Sequence, residues 1–242
     1  MSIAQDIEAY VGKMPAGLIF GYQALPRYAQ SSDAVIKAVG RMVKGRRLKR
    51  FSKGEFYVPK EGVLGEIKPS DAALIQSVLY KGNRLRGYVT GMSLYNQLGL
   101  TTQVPRTVII AYAGGAQTKD FGTIRIKTIV SRVPIREENV KLLQYLDVLK
   151  DIKRISDSDI NLSLKILRRN FSELSMSDLK KLTGLAEEYY SPQVRALTGL
   201  LLEGMNFKAS ASLKKSLNPT TVFKLKLDDQ IWPQAREWNI KL

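Results

Sequence analysis

Residues 31–59 read SSDAVIKAVGRMVKGRRLKRFSKGEFYVP, and this stretch predicts a helix followed by a two-stranded hairpin. Apolar residues recur at helical spacing over 33–44 and predict a helix with one buried face, formed by Val35, Ile36, Val39, Met42 and Val43. Ser31 and Ser32 precede this helix and can cap it by accepting hydrogen bonds from free backbone N–H groups. Gly45 is expected to end it. The segments 48–51 and 56–58 then predict two short strands around a turn at 52–55.

The same stretch is strongly basic. Between residues 37 and 53 there are eight basic residues and no acidic one: Lys37, Arg41, Lys44, Arg46, Arg47, Lys49, Arg50 and Lys53. A helix with a basic outer stripe followed by a basic hairpin is typical of a winged helix. Its helix fits the major groove of B-DNA, which is about 12 Å wide, and its hairpin lies along the backbone. The alternative is a solvated basic surface without a partner, but such surfaces usually mix charges of both signs.

The composition of the whole chain favours the same kind of partner. Its 242 residues include 38 lysine and arginine residues against 22 acidic ones, and its formal net charge is +16. This excess favours a polyanionic partner, nucleic acid first and an anionic membrane surface second. No apolar run approaches the ~18–20 residues of a membrane-spanning helix, and the first residues lack the pattern of an export signal. We therefore expect a cytoplasmic protein that does not enter a membrane.

The chain contains neither histidine nor cysteine. The usual zinc sites, thiol nucleophiles and imidazole general bases are therefore nearly excluded. Acidic residues are adjacent at 137–138, 187–188 and 228–229, and Asp157 and Asp159 are one residue apart, but each group has a structural explanation. We expect no enzymatic activity, no metal and no cofactor. A nucleic-acid-processing enzyme that uses Mg²⁺ at Asp157 or Asp159 is the rival hypothesis.

The order of the patterns predicts an α+β protein with two domains. Residues 2–13 predict an amphipathic helix, 18–20 a short strand and 22–25 a brief second helix before the basic helix and hairpin. Residues 1–62 therefore predict a winged helix-turn-helix DNA-binding domain. The segment 61–69 contains glycine and proline and is interpreted as a linker or a crossover between domains. Residues 70–242 predict a C-terminal domain with a mixed α/β core at about 70–135 and 217–230 and a helical part at about 136–206.

Within the second domain, the patterns predict strands at 88–90, 107–111, 123–130 and 222–227. Helices are predicted at 70–80 and 140–149, from the capping pair Ser156 and Asp159, from Ser177 and from Pro192. Gly114 and Gly115 are interpreted as a loop, because they lack the frame of a phosphate-binding motif. Trp232 and Trp238 are expected in the core, with a partner-binding anchor as the alternative.

Several segments resemble the AbiEi-like antitoxins, the regulatory halves of type IV toxin–antitoxin pairs in bacterial abortive-infection systems. These segments are SIAQDIE at 2–8, the stretch 31–59, TGMSLYNQLGLTTQVPRTVIIAYAGG at 90–115, GTIRIKTIVSRVP at 122–134 and LNPTTVFKL at 217–225. The likeness covers most of residues 1–135, and LGLTTQVP is its most distinctive part. The helical segment at about 137–205 is not matched.

The resemblance implies a two-domain transcriptional autorepressor that acts in phage defence. Its winged helix would bind inverted repeats of double-stranded DNA in its own promoter. Its C-terminal region would counter a nucleotidyltransferase-like toxin, and direct contact with that toxin is not assumed. A dimer on DNA is expected, because helix-turn-helix proteins bind inverted repeats at half-sites about 10 bp apart or a multiple of that distance.

The candidate DNA contacts are Ser31, Ser32, Lys37, Arg41, Lys44, Arg46, Arg47, Lys49, Arg50 and Lys53. Ser32, Lys37 and Arg41 are expected at base edges or nearby phosphates, and the cations after the helix mainly at phosphates. Two further hypotheses stay open. One is a winged-helix regulator whose second domain senses a ligand or partner without any toxin. The other is an RNA-binding protein, which would need exposed aromatic residues that the basic segment barely offers.

Overall fold

The computed structural model describes residues 2–62, 65–82, 84–203, 205, 207 and 210–241. Helices and small sheets both contribute to it, so the predicted α+β class is confirmed. The chain divides into two compact units, of which one comprises Met1–Gly87 and Phe121–Ile124 and the other Tyr88–Asp120 and Arg125–Leu242. Among the described residues, no helix is long and apolar enough to cross a membrane.

The first unit begins with the predicted order of elements. These are helix α1 (Ile3–Val11), strand β1 (Ile19–Gly21), a 3-10 turn (Tyr22–Ala24), helix α2 (Ser32–Lys44) and strands β2 (Lys49–Ser52) and β3 (Glu55–Tyr57). β3 lies between β1 and β2 and runs antiparallel to both. The second predicted helix is a single 3-10 turn, because Pro26 follows and favours extended backbone at Leu25.

The buried face of α2 forms the centre of the core of this unit. Val35, Ala38, Val39 and Met42 are buried there, and they belong to one apolar cluster with Ile7, Val11, Phe20, Leu48 and Phe56. Full burial of an apolar side chain of this size contributes about 1.5–3 kcal/mol. Ser2 and Gln5 close a capping box on α1, in which each side chain accepts a hydrogen bond from the backbone N–H of the other residue.

The linker predicted at 61–69 is wrong for its described part. Strands β4 (Lys60–Gly62) and β5 (Gly65–Ile67) pair antiparallel there, and this pairing satisfies backbone groups that a linker would leave to water. Val63 and Leu64, which the prediction also covered, lie outside the described residues. Helix α3 (Asp71–Leu79) and strands β6 (Tyr80–Lys81) and β7 (Arg84–Leu85) follow. The compact unit thus continues past residue 62, and the functional boundary at that residue stays a prediction.

The second unit contains a mixed sheet with the order β10-β11-β9-β8. Its strands are β8 (Gly87–Thr90), β9 (Thr107–Tyr112), β10 (Gln117–Asp120) and β11 (Arg125–Val130), with helix α4 (Met92–Gln97) between β8 and β9 in sequence. β11 is parallel to β9 and antiparallel to β10. The strands predicted at 88–90, 107–111 and 123–130 are confirmed with small shifts at their ends. β10 was not predicted, because its residues are all polar and exposed and so show no alternation.

Helices build the core of the second unit. They are α5 (Val140–Asp151), α6 (Ile160–Ser172), α7 (Met176–Tyr189), α8 (Pro192–Leu202) and α9 (Ser210–Lys215). The side-chain cap of α6 is Asp159, which accepts a hydrogen bond from the N–H of Leu162 at 2.8 Å. The cap of α7 is Ser175, two residues before the predicted start at Ser177. Trp232 and Trp238 are both buried in this core, as expected.

The terminal strand predicted at 222–227 is much shorter than expected. Only Phe223–Lys224 forms strand β12, which pairs parallel with β13 (Ile240–Lys241). Lys226 has a φ of 51°, and this left-handed conformation ends the extended run. Leu225 and Leu227 are nevertheless buried in the helical core. The apolar spacing therefore predicted which residues are buried, but the strand that it also predicted extends over only two residues.

Candidate nucleic-acid interface

Helix α2 presents a basic outer face. Its basic residues Lys37, Arg41 and Lys44 are exposed, and so is its one acidic residue, Asp33. Val35, Val39 and Met42 point into the core. The helical repeat separates these two sets, because residues three and four apart lie on the same side of a helix. Lys37 and Arg41 are therefore accessible, and the DNA-binding hypothesis required this.

The start of α2 differs from the prediction. Ser31 stands at the N-cap position but its side chain makes no capping hydrogen bond, and Ser32 is already the first helical residue. The backbone carbonyl of Ser31 accepts a hydrogen bond from the N–H of Val35 at 3.2 Å. Ser32 is exposed in the first turn, next in sequence to Asp33. Ser32 is thus available to a partner, and the predicted side-chain cap by Ser31 is wrong.

Arg46, and not Gly45, takes the left-handed conformation that ends α2. Gly45 has a φ of −78°, whereas Arg46 has a φ of 56°. The N–H of Arg46 donates to the carbonyl of Val43 at 3.1 Å, and the N–H of Arg47 donates to that of Met42 at 2.9 Å. These two bonds form a Schellman motif, whose left-handed position is usually occupied by glycine. A left-handed arginine costs about 1–2 kcal/mol relative to ordinary helical backbone.

The basic hairpin follows directly. Gly54 has a φ of 80° in the turn between β2 and β3, and a register shift lies between Arg50 and Ser52. The side chains of Lys49, Arg50 and Lys53 are exposed, whereas Phe56 is buried. The ring of Phe51 stacks on that of Phe121 with centroids 5.9 Å apart, and this contact anchors β2 at the shifted position. The hairpin therefore has a packed aromatic side and a cationic exposed surface.

Two of the predicted contacts are paired with carboxylates inside the first unit. The guanidinium group of Arg47 lies 3.1 Å from Glu8. The ammonium group of Lys49 forms an ion pair with Glu66, which also accepts a hydrogen bond from the hydroxyl of Tyr57 at 2.8 Å. The hydrogen bond from Lys49 holds the pKa of Glu66 below its ordinary value. Burial and, to a smaller extent, the hydrogen bond to Glu66 together raise the pKa of Tyr57 to about 12.

The remaining cations of the set have no carboxylate partner among the described residues: Lys37, Arg41, Lys44, Arg46, Arg50 and Lys53. The guanidinium carbon of Arg50 lies 5.9 Å from the ring centroid of Phe56, within the range of a cation–π contact. These residues lie on one helix, its end and the adjoining hairpin. The first unit thus carries accessible positive charges on consecutive elements of the chain.

Two residues of the exposed face were missed by the sequence reasoning. Ile36 was expected on the buried face, but 41% of its surface is exposed. Gly40 was assigned no role, yet it is exposed in the interior of α2. Ile36 lies outside the core because Val35, Ala38, Val39 and Met42 already fill the arc that faces it. A helical-wheel count from those four positions would have placed Ile36 at the exposed edge.

In the second unit, the acidic residues considered for catalysis do not converge. Asp159 caps α6, and the carboxylate of Asp157 accepts a hydrogen bond from the side-chain amide of Gln103 at 2.6 Å. Within the described ranges, no three acidic residues lie close enough to hold a metal ion together. Asp157 and Asp159 are accounted for by these structural bonds.

Asp147 is the notable buried carboxylate of the second unit. It accepts hydrogen bonds from the hydroxyls of Tyr88 at 3.0 Å, Thr90 at 2.8 Å and Tyr190 at 3.1 Å, and from the ammonium group of Lys150 at 2.9 Å. Burial raises the pKa of both Tyr88 and Tyr190 above the ordinary value. These residues border a cavity of about 230 Å³. Asp147 thus has four donors and holds β8, α5 and the end of α7 together.

Comparisons with known proteins identify a family but no activity. A search of the curated proteins finds no match. Among solved structures, the chain is similar to one described as the crystal structure of RV2827C protein from Mycobacterium tuberculosis, with 12% identity and a TM-score of 0.47. That likeness covers 98% of this chain and 90% of the other, and it is too distant to carry an argument. A family model matches residues 6–174. The chain therefore belongs to a family of unknown function, DUF6088.

Proposed function

We propose that this protein is a cytoplasmic antitoxin that binds DNA sequence-specifically and represses transcription of its own operon. The observation that carries the DNA-binding half is the set of unpaired, exposed cations on α2, its Schellman end and the β2–β3 hairpin. Neutralising phosphates with such side chains releases condensed counterions, which supplies sequence-independent affinity for DNA. The proposed function requires no catalysis, metal or cofactor.

The arrangement of the first unit supports a winged-helix mode of binding. A helix, a strand, a short turn, the basic helix and a basic hairpin follow one another, and β3 pairs with both β1 and β2. In this mode α2 enters the major groove with Ser32, Lys37, Arg41 and Lys44 toward the bases or their nearest phosphates. Arg46, Arg50 and Lys53 bind phosphates beside the groove. Arg47 and Lys49 can bind phosphates only after their ion pairs with Glu8 and Glu66 break.

The antitoxin half is supported by the resemblance of residues 90–115 and 122–134 to the AbiEi-like antitoxins. We infer that the second unit counters a nucleotidyltransferase-like toxin encoded beside this gene. No direct contact between the two proteins is required. The DNA target is an inverted repeat upstream of the gene, bound by two copies of the chain.

Footprinting of the DNA upstream of the gene tests the first half. We expect a protected inverted repeat, with an affinity that falls as salt is added. The variant with both Arg46→Ala and Arg47→Ala should weaken binding to all DNA and reduce the salt slope by about 1 for each phosphate that is no longer neutralised. Arg41→Ala should instead relax the choice of sequence. The matched control is Lys180→Ala with Lys181→Ala, exposed cations on α7 of the second unit. If both test variants bind the repeat like the unchanged protein, the assignment is wrong.

Co-expression tests the second half. Expression of the neighbouring toxin gene should arrest growth, and this protein should restore it. The full-length variant with Arg46→Ala and Arg47→Ala should lose repression and keep rescue, because its second unit is unchanged. If no toxin gene adjoins this one, or if growth stays arrested while the protein is present, the antitoxin half is wrong.

A regulator that senses a ligand through its second unit is the other candidate function. A cavity of about 420 Å³ favours it, since this volume is within the range of small-molecule sites. Cationic and apolar side chains line the cavity: Lys165, Arg168, Arg169, Met205, Ile231 and Trp232. Under this alternative the footprint persists and changes with a small anionic ligand, and no toxin is neutralised.

A further inference from the structure

One edge of the exposed face of α2 is uncharged. Gly40 lies there, about 140° around the helix axis from the buried Val35, because a helix turns ~100° per residue. Ile36 precedes Gly40 by one turn, and 41% of its surface is exposed. Lys37 and Arg41 follow these two residues directly in sequence and are also exposed. The exposed face therefore has an apolar strip along one edge. The cations Lys37, Arg41 and Lys44 and the single acid Asp33 lie beside that strip.

The fold itself does not require glycine at position 40. A Cβ atom built on Gly40 would meet no other atom within 4 Å, so alanine would fit without any adjustment. Glycine is also less favourable than alanine in the interior of a helix, because its backbone loses more freedom on folding. Neither packing nor helix stability thus explains the residue. Its remaining physical effect is to let another surface approach the helix backbone closely.

Ile36 likewise has no evident structural role within the unit. A β-branched side chain on an exposed helix surface adds apolar area in water and little helix propensity. The face on which it lies carries three cations against one acid, Asp33, and this net positive charge favours a polyanionic partner. Such a partner restricts the apolar groups that Ile36 could meet. In the major groove of DNA, the apolar group that bases present is the C5-methyl group of thymine.

We propose that Ile36 and Gly40 form an apolar reading strip that contacts thymine methyl groups in the major groove. Gly40 allows the helix backbone to lie close to the bases, and Ile36 packs against a methyl group at that distance. Close approach also brings the side chains of Lys37 and Arg41 within reach of guanine O6 and N7. This inference rests on the proposed DNA binding and adds to it the kind of base that α2 selects.

The test compares thymine with uracil, which lacks only the methyl group. The fragment protected in the footprint is prepared with each cluster of thymines replaced by uracil, and binding is titrated with the unchanged protein, Ile36→Ala and Gly40→Ala. We expect that replacing one of these clusters weakens binding of the unchanged protein about fourfold. This factor corresponds to the loss of one buried methyl group. Ile36→Ala should bind both fragments equally. The comparison within that variant removes any effect of uracil on the DNA itself.

Gly40→Ala should change folding and binding in opposite directions. We expect a higher denaturant midpoint, because alanine is the better helix former, together with at least about tenfold weaker binding, since the added methyl group holds the helix away from the bases. Gly184→Ala is the matched control: Gly184 is an exposed glycine in the interior of α7, and a Cβ there also meets no atom within 4 Å. It should raise the midpoint and leave DNA binding unchanged.

The outcomes separate this inference from the proposed function. If the unchanged protein binds its fragment but does not distinguish thymine from uracil anywhere, the reading strip is wrong and DNA binding stands. The same holds if Ile36→Ala keeps the discrimination, or if Gly40→Ala binds as tightly as Gly184→Ala. If the unchanged protein binds no upstream fragment, the proposed function is wrong, and the reading strip is wrong with it.

Discussion

A guanidinium nitrogen of Arg47 lies 3.1 Å from a carboxylate oxygen of Glu8 on α1, so one candidate phosphate contact is already paired within the first unit. Both side chains are about half exposed, with 55% and 46% of their surfaces accessible. Such a pair adds at most about 1 kcal/mol to stability. It does, however, reduce the positive charge that α2 and the hairpin would present to DNA under the proposed function.

Glu8→Gln should therefore strengthen DNA binding. The released Arg47 gains a phosphate, and the slope of log affinity against log salt should steepen by about 1. Unfolding free energy should change by less than about 1 kcal/mol. The matched control is Glu173→Gln, which removes the partner of Arg169 in the second unit and should leave binding unchanged. Titrations at several salt concentrations measure both variants, and unchanged affinity in Glu8→Gln would contradict the assignment of Arg47.

Arg46 offers a second prediction, because its backbone and its side chain can be tested separately. Its φ of 56° is unfavourable for arginine and alanine and favourable for glycine. Arg46→Gly should therefore be more stable than Arg46→Ala by about 1 kcal/mol. Both variants lack the guanidinium group that we propose binds a phosphate, so both should bind DNA more weakly and to the same extent. Urea denaturation and DNA titration of the pair check this, and a difference between them in binding would count against a pure side-chain role.

Asp147 leads to a prediction about stability. Its side chain is only 5% exposed, and Asp147→Ala would remove the acceptor of four hydrogen bonds, among them those from the buried hydroxyls of Tyr88 and Thr90. We expect a loss of about 3–5 kcal/mol in the free energy of unfolding, because each buried donor that loses its acceptor costs about 1–3 kcal/mol. Thr90→Val removes a single donor and should cost about 1 kcal/mol. Asp229→Ala, an exposed carboxylate change, should stay within about 0.5 kcal/mol. Equal stability of Asp147→Ala and Asp229→Ala in denaturant melts would refute the structural role.

Tyr57 predicts a dependence of stability on alkaline pH. Its pKa is about 12 in the folded chain, against 10.0 for an unperturbed tyrosine, so between these values the folded state holds a proton that the unfolded state has lost. Stability from this group is therefore fully present below pH 10 and is lost as pH rises toward 12. The advantage of the unchanged protein over Tyr57→Phe should shrink across that window. Urea melts of the two proteins at matched pH values measure it, and a constant difference would contradict the prediction.

Local structure could be predicted wherever the apolar pattern of a single helix or strand was enough to identify it. The helical spacing of Val35, Val39 and Met42 predicted α2 and its buried face, and the alternation over 123–130 predicted β11. Predictions failed for strands that lack an apolar pattern and for positions whose burial depends on how other elements pack. β10 and the β4–β5 strands carry no apolar alternation, because they are held by backbone pairing rather than by burial. Ile36 was misplaced because the width of the buried arc depends on what packs against it.

Charge and helical spacing are properties of the residues alone, and they predicted the basic helix and the hairpin in the first part of the chain. Tertiary structure decided which of those charges are accessible. Glu8 and Glu66 lie far from Arg47 and Lys49 along the chain, and only folding brings each carboxylate against its cation. Tertiary structure also placed Gly40 and Ile36 on the outside of α2, because the exposure of a helix face depends on which other elements pack against the helix.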